Sequence, residues 1–340
     1  MNMSVKGESI LIVLLGALGD VVRGFSILPP LRKAYPNSKI TWLVEPRCIG
    51  IVKLHPLIDE VLLFDRASPL KAIKEFKAKA EKERFTITLD LQRHFKSGVL
   101  SFLSRSPIRV GFHRKNCKEG NFLFNNRFIK EYDPTLSKVW HYQSFLEVLQ
   151  ISSPKEVSFG LQEALTSEDV PEVLRNQSDV VGVVLGSTWE TKNWKMPHYI
   201  TLVKDLLREG KKVALLGDKS QRSIGEEIVK ACGESDRLHQ LGGHTTLREL
   251  LGAISQCEVV VGPDSGPGHI AAALKKPYVS LFGPTTENRV GPFGQEHLVV
   301  RAPLGCAPCM RRECKPLQSL CMELITPSLV MERIKSVCSR

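Results

Sequence analysis

The sequence predicts an α/β protein built from two doubly wound domains. Three observations carry this expectation. Short β-branched or aromatic runs alternate with segments of helical spacing in both halves, and such alternation implies parallel sheets with helices on both faces. A length of 340 residues suffices for two domains that each bury a core. A polar, proline-containing stretch at 152–171 separates the halves. With 42% apolar and 24% charged residues, the composition is that of a globular chain rather than a disordered or fibrous one.

In the first half, strands are expected at 10–15, 39–44, 60–64, 85–91 and 108–112. Helices are expected at 21–35, 46–54, 69–84, 96–104 and 138–150. Pro29-Pro30 should kink or restart the first helix, since proline brings no backbone N–H. The apolar run 10–18 is too short to span a bilayer and is closed by Asp20 and Arg23. No small-residue cleavage site follows it, so a first strand is expected and not a signal peptide. In the second half, strands are expected at 180–185, 211–216, 258–261 and 278–282, and helices at 197–209, 220–232, 246–255, 268–275 and 327–337. The halves share an architecture but no alignable repeat.

The net charge of +11 is uneven. Residues 1–165 hold 25 Lys and Arg against 16 acids, and the remainder 22 against 20. The first half should therefore attract an anionic partner: nucleic acid, a membrane surface or a phosphorylated glycolipid. No helix-turn-helix, zinc finger or RNP-type aromatic motif supports nucleic acid, which is not expected as a partner; a merely basic surface with no such partner is the alternative. Four of the nine cysteines cluster as C-x2-C-x4-C-x6-C at Cys306, Cys309, Cys314 and Cys321. Without a secretion signal a disulfide framework is not expected. A four-thiolate zinc site is geometrically possible; buried free thiols are the default.

Four loops carry candidate chemistry. Gly262 to Thr285 reads GPDSGPGHIAAALKKPYVSLFGPT, a strand, a Gly-rich turn and a helix. Unpaired N–H groups and the positive end of the helix dipole would suit a phosphate at Gly266–His269, with Ser265 and Thr285 as hydroxyl donors. The glycines could equally do no more than shape a tight turn. Gly16-Ala17-Leu18-Gly19-Asp20 closes the first strand, and Asp20 reads as either a helix N-cap or a carboxylate for proton transfer. The loop 186–194 after the strand 180–185 offers Ser187, Thr188 and Lys192. Asp218 and Gln221 follow the next strand, where Asp218 reads as a cap or a partner for a diol.

The string D-S-G-x-x-H, followed by F-G-P-T, closely resembles the donor-site signature of the family 9 glycosyltransferases, the ADP-heptose heptosyltransferases of lipopolysaccharide inner-core synthesis. G-x-x-G-D after the first strand resembles their start. Asp90-Leu91-Gln92-Arg93-His94-Phe95-Lys96-Ser97 resembles the D-L-Q-G-L-x-K-S string of members that add the first heptose, with Arg93 in place of the usual glycine. The Arg109–Lys115 string, with its R-x-G-F pattern, and Trp140-His141-Tyr142 also resemble family motifs.

The resemblance implies a GT-B fold of two Rossmann-like domains facing across a cleft. Residues 1–165 would bind the acceptor and 166–325 the nucleotide sugar, with a C-terminal helix in 326–340 that packs back on the first domain. It implies Asp20 as general base, Lys192 as the phosphate-binding lysine, and Ser187, Thr188, Asp218, Gln221, Asp264, Ser265, Gly266 and His269 around the donor. Lys96 and Arg114 would meet the carboxylates and phosphates of a Kdo–lipid A acceptor. No Asp-x-Asp is present, so neither a metal nor another cofactor is expected. The implied reaction is inverting heptose transfer from ADP-heptose to Kdo–lipid A, by a cytoplasmic protein held loosely on the inner leaflet. A transferase for another nucleotide sugar or acceptor, and a non-catalytic nucleotide-sugar binding protein, remain alternatives.

Overall fold

Apolar runs buried on both faces order the computed structural model, which describes residues 9–314 and 319–338. The chain divides into two compact units, Met1–Ala164 and Leu165–Arg340. The first unit's strands are β1 (Ser9–Val13), β2 (Lys39–Val44), β3 (Glu60–Leu63), β4 (Ile87–Asp90), β5 (Ile108–Gly111) and β6 (Arg127–Phe128). Its helices are α1 (Leu18–Gly24), α2 (Leu28–Ala34), α3 (Ile49–Leu54), α4 (Pro69–Glu83), α5 (Phe95–Leu103) and α6 (Lys138–Val148). The second unit contains β7 (Val180–Val184), β8 (Lys212–Leu216), β9 (Leu238–Gln240), β10 (Val259–Pro263), β11 (Tyr278–Phe282) and β12 (Val299–Arg301). Its helices are α7 (Met196–Arg208), α8 (Arg222–Cys232), α9 (Leu247–Gln256), α10 (Gly266–Ala273), α11 (Glu287–Val290), α12 (Leu320–Glu323) and α13 (Pro327–Cys338).

The sheets run β3-β2-β1-β4-β5-β6 and β12-β11-β10-β7-β8-β9. Every ladder in both is parallel. The two topologies are identical. In each, the first three strands step outward to one side, and the chain then returns to lay the next three on the other. The reversal falls between β1 and β4 in one unit and between β7 and β10 in the other. Open α/β sheets bind ligands outside the carboxyl ends of their strands at this switch point.

Central strands β7, β10 and β11 are buried at every position, as parallel strands covered on both faces must be. The second core joins β7, β8, β10 and β11 to Leu202, Val203 and Leu206 of α7 and to Val330 and Ile334 of α13. The final helix thus packs within the second unit.

Two boundaries differ from expectation for local reasons. The first helix begins at Leu18, passes through a 3-10 turn at Phe25–Ile27 and restarts as α2 with its prolines in the first turn. A missing N–H costs least there. The short edge strands β6, β9 and β12 were not expected; two or three residues carry no readable periodicity.

Candidate active site

At the first switch point, β1 runs into Gly16, whose φ is 153°. A side chain at Gly16 would be strained by that φ and would stand 3.2 Å from the Arg47 guanidinium. The Gln92 side chain, from just beyond β4, holds this turn like a further rung of the sheet. It accepts from Leu15 N–H at 2.9 Å and donates to the Gly16 carbonyl at 3.0 Å.

The helix then starts on Ala17, with no side-chain cap, and Asp20 is its third residue. The N-cap reading of Asp20 is therefore overturned: the chain turns helical three residues earlier than expected. Freed from capping, the Asp20 carboxylate accepts from Lys138 Nζ at 2.7 Å and from Arg23 at 2.5 Å. The Asp20 and Lys138 side chains are each 21% exposed, while Arg23 is buried. Burial pushes the Asp20 pKa up, but Lys138 and then Arg23 outweigh it and hold the group well below the usual carboxylate range. Sequence reasoning missed both cations. Arg23 lies one turn along the same helix, and Lys138 comes two residues before the Trp140-His141-Tyr142 string.

At the second switch point, β7 ends in a loop held by Asn193, whose Oδ1 accepts from Ser187 N–H at 2.7 Å. Lys192 Nζ donates to Asp264 Oδ2, beyond β10, at 2.7 Å. Thr285 Oγ1 donates to the same oxygen at 2.9 Å. In this structure that hydroxyl hydrogen goes to Asp264. The lysine and aspartate side chains are 13% and 7% exposed, so the pair is almost fully enclosed. Lys192 also lies 4.3 Å from the centre of the Trp189 ring, and the Arg312 guanidinium 4.8 Å from it.

The remaining donor candidates divide. Ser265 sits at the N-cap of α10 without capping it; its hydroxyl donates to the Pro263 carbonyl at 3.1 Å. Gly266 opens α10, and His269 is buried in its first turns. Ser187 Oγ donates to the Trp189 carbonyl at 3.1 Å, while Thr188 is exposed. Asp218 and Gln221 form a reciprocal capping box over the 3-10 turn Lys219–Gln221, which is the capping alternative for Asp218. The neighbouring glycines Gly262 and Gly268 are spacers rather than turn formers. A Cβ would stand 2.6 Å from Val184 Cβ at Gly262 and 2.8 Å from the Tyr278 ring at Gly268.

Lys96 lies on α5, 3.5 Å from the buried carboxylate of Glu45, which Arg47 and Arg66 also approach. Burial, then Arg66, lower the Lys96 pKa. Arg114 is exposed on the turn after β5. Arg93 adopts φ 60°, the left-handed backbone that a glycine takes without strain, and its guanidinium meets the Asn116 carbonyl at 3.3 Å. The four clustered cysteines are free thiols that line one small cavity beside Thr191 and Pro284. Among the described residues no group of three or more His, Cys, Asp or Glu stands ready to hold a metal ion.

The model of "Glycosyltransferase family 9 (heptosyltransferase)" matches residues 73–319. The lipopolysaccharide core heptosyltransferase OpsX of Haemophilus influenzae is 24% identical over 299 residues, spanning 86% of this chain and 84% of that one. Lipopolysaccharide heptosyltransferase 2 of Salmonella typhimurium is 25% identical, spanning 95% and 96%. Among solved structures, E. coli heptosyltransferase WaaC with ADP superposes with a TM-score of 0.79 at 21% identity, covering 96% of this chain and 99% of that one. E. coli ADP-heptose lipopolysaccharide heptosyltransferase II gives 0.78 at 21% identity, covering 97% and 98%. The structural likenesses carry the fold, which is GT-B. The family model spans most of the chain, and the protein belongs to glycosyltransferase family 9, the heptosyltransferases.

Proposed function

We propose that the protein moves heptose from ADP-heptose to the Kdo–lipid A inner core of lipopolysaccharide, with inversion at the anomeric carbon. The observation that carries this reading is the pair of charged centres at the two switch points, Asp20 with Lys138 and Lys192 with Asp264.

The second unit takes the donor. Lys192 supplies positive charge to the diphosphate, whose charge grows as it leaves, and Asp264 fixes that lysine in place. Thr188 and the N-terminus of α10 from Ser265 to His269 offer further donors to phosphate oxygens, and Ser187 joins them by exchanging its hydroxyl bond to the Trp189 carbonyl. Asp218 and Gln221 lie at the end of β8, where a ribose diol could exchange for part of the capping box.

The first unit takes the acceptor, with Lys96 and Arg114 meeting its carboxylates and phosphates. Asp20 accepts the proton of the acceptor hydroxyl as its oxygen attacks the anomeric carbon and the bond to ADP breaks. Two cations make the resting carboxylate a weak base. Withdrawal of Lys138 as the hydroxyl arrives restores its basicity. Because the acceptor is a membrane lipid, the protein works at the inner leaflet on the cytoplasmic face. Among the described residues no helix is long and apolar enough to cross a membrane.

The test is nucleotide release from a panel of ADP- and UDP-sugars in the presence of Kdo–lipid A. Release is expected with ADP-heptose. Activity with UDP-glucose but not ADP-heptose would refute the donor, and no release from any pair would leave only a binding protein.

A further inference from the structure

Helix α5 is turned the wrong way round for a core helix. Its inner face carries serines, and its outer face carries phenylalanines. Ser97, Ser101 and Ser104 are buried, and so is Leu100 between them. The serines feed a polar network beneath the helix. Ser101 Oγ donates to Asn125 Oδ1 at 2.6 Å, and Asn121 Nδ2 donates to the buried Asp90 at 2.6 Å. This network fixes the rotation of α5, so its other face cannot be its core face.

That other face is apolar. Phe95 is 51% exposed and Phe102 56% exposed, and Val99 lies between them at helical spacing. The turn Asn121–Phe124 packs alongside and adds Leu123, which is 71% exposed. Phe124 bridges the two phenylalanines, with ring centroids 5.2 Å and 6.4 Å away.

The surrounding charge is predominantly basic. Residues 93–130 contain nine Lys and Arg against the single acid Glu119, a net +8 of the chain's +11. Arg109 lies 5.6 Å from the Phe102 ring, and Arg105 follows Phe102 by one turn, 67% exposed although it reaches Glu81 of α4 at 3.2 Å. Exposed aromatic and aliphatic side chains inside a basic surround match an anionic lipid surface: the apolar groups enter the headgroup–acyl boundary and the cations meet lipid phosphates.

We propose that the outer face of α5, with the adjoining Leu123 turn, docks the protein on an anionic bilayer surface. The lipid-linked acceptor proposed above gives this face its purpose, but docking itself needs neither donor nor turnover. Loss of transfer with docking intact would therefore count against that function and not against this face.

The experiment is co-sedimentation of the full chain with phosphatidylcholine vesicles, with and without phosphatidylglycerol. One variant combines Phe102→Ser with Leu123→Ser, and a second combines Arg105→Gln with Arg127→Gln. Circular dichroism melts check that each variant folds. Wild type should favour the anionic vesicles, and each variant should bind them roughly tenfold more weakly or worse. A Leu123→Trp reporter should shift its emission to the blue on anionic vesicles only. Equal binding to both vesicle types would overturn the proposal. So would loss of binding in the arginine variant alone, which would leave a purely electrostatic face. A wild-type dimer in solution that the Phe102 and Leu123 substitutions convert to monomer would assign the face to a second copy of the chain.

Discussion

The two switch points carry the same chemical pair in opposite order. In the first unit the carboxylate follows the opening strand, and its lysine comes from α6, 118 residues away. In the second the lysine follows the opening strand, and its carboxylate arrives after β10, 72 residues away. Both pairs close at 2.7 Å. Their surroundings differ. Asp20 is partly exposed and faces two cations, whereas Asp264 is buried with one lysine and one hydroxyl. The first arrangement keeps a reachable carboxylate ionised, and the second keeps a lysine still. One is suited to take part in proton transfer and the other to hold a fixed positive charge.

The largest expected effect comes from removing the reachable carboxylate. Asp20→Asn should lower transfer by about 10²- to 10⁴-fold, the usual contribution of a positioned base. ADP affinity, measured calorimetrically, should stay within about twofold, because Asp20 belongs to the other unit from the residues proposed to hold the donor. A variant that transfers at the wild-type rate would show that the two pairs do not divide the work in this way.

Next comes the enclosed pair. Lys192→Met should cost roughly 10²-fold or more in kcat/KM through lost stabilisation of the leaving diphosphate. It should also destabilise the fold by about 3–5 kcal/mol, since it strands a buried carboxylate. Adding Asp264→Asn should recover most of that stability and none of the activity. Recovery in urea melts without recovery of turnover would separate the structural role of Asp264 from the chemical role of Lys192. Full activity in the double variant would break the assignment.

The partly exposed pair makes a different prediction. Lys138→Met removes the first cation that holds the Asp20 pKa down, so that pKa must rise. A base works only when deprotonated, so the acid limb of the kcat/KM profile should move to higher pH, by about one unit or more. Lys138→Arg should restore the wild-type limb. If the limb stays in place, Lys138 does not govern the Asp20 charge.

These pairs also mark what a sequence can and cannot reveal. Both sheets were legible because parallel strands buried on two faces read as continuous apolar runs, such as Val180–Val184. Lys192 and Asp264 could be named one at a time from the motifs around them. Their mutual contact was not visible, because chain separation hides it. Lys138 carried no signal at all: a lysine at the first position of a helix looks like any solvated lysine. The Asp218–Gln221 capping box was half legible, since the aspartate at the end of a strand suggests a cap before any ligand is invoked.

The smallest effect compares the two glycines that end the opening strands. Gly16 and Gly186 share nearly the same backbone, with φ 153° and 156°. An alanine at either should cost about 1–3 kcal/mol of strain. Their neighbours differ in freedom to move. The Cβ at 16 would meet the Arg47 guanidinium at 3.2 Å, the far end of a flexible side chain that is 61% exposed. The Cβ at 186 would meet Asn193 Oδ1 at 3.3 Å, an atom already bound to Ser187 N–H. Gly186→Ala should therefore displace the loop that carries Lys192 and weaken ADP binding several-fold, while Gly16→Ala leaves ADP binding unchanged. Equal loss of ADP affinity in both variants would mean that the turn in the first unit also shapes the nucleotide site, and the division between the two switch points would fail.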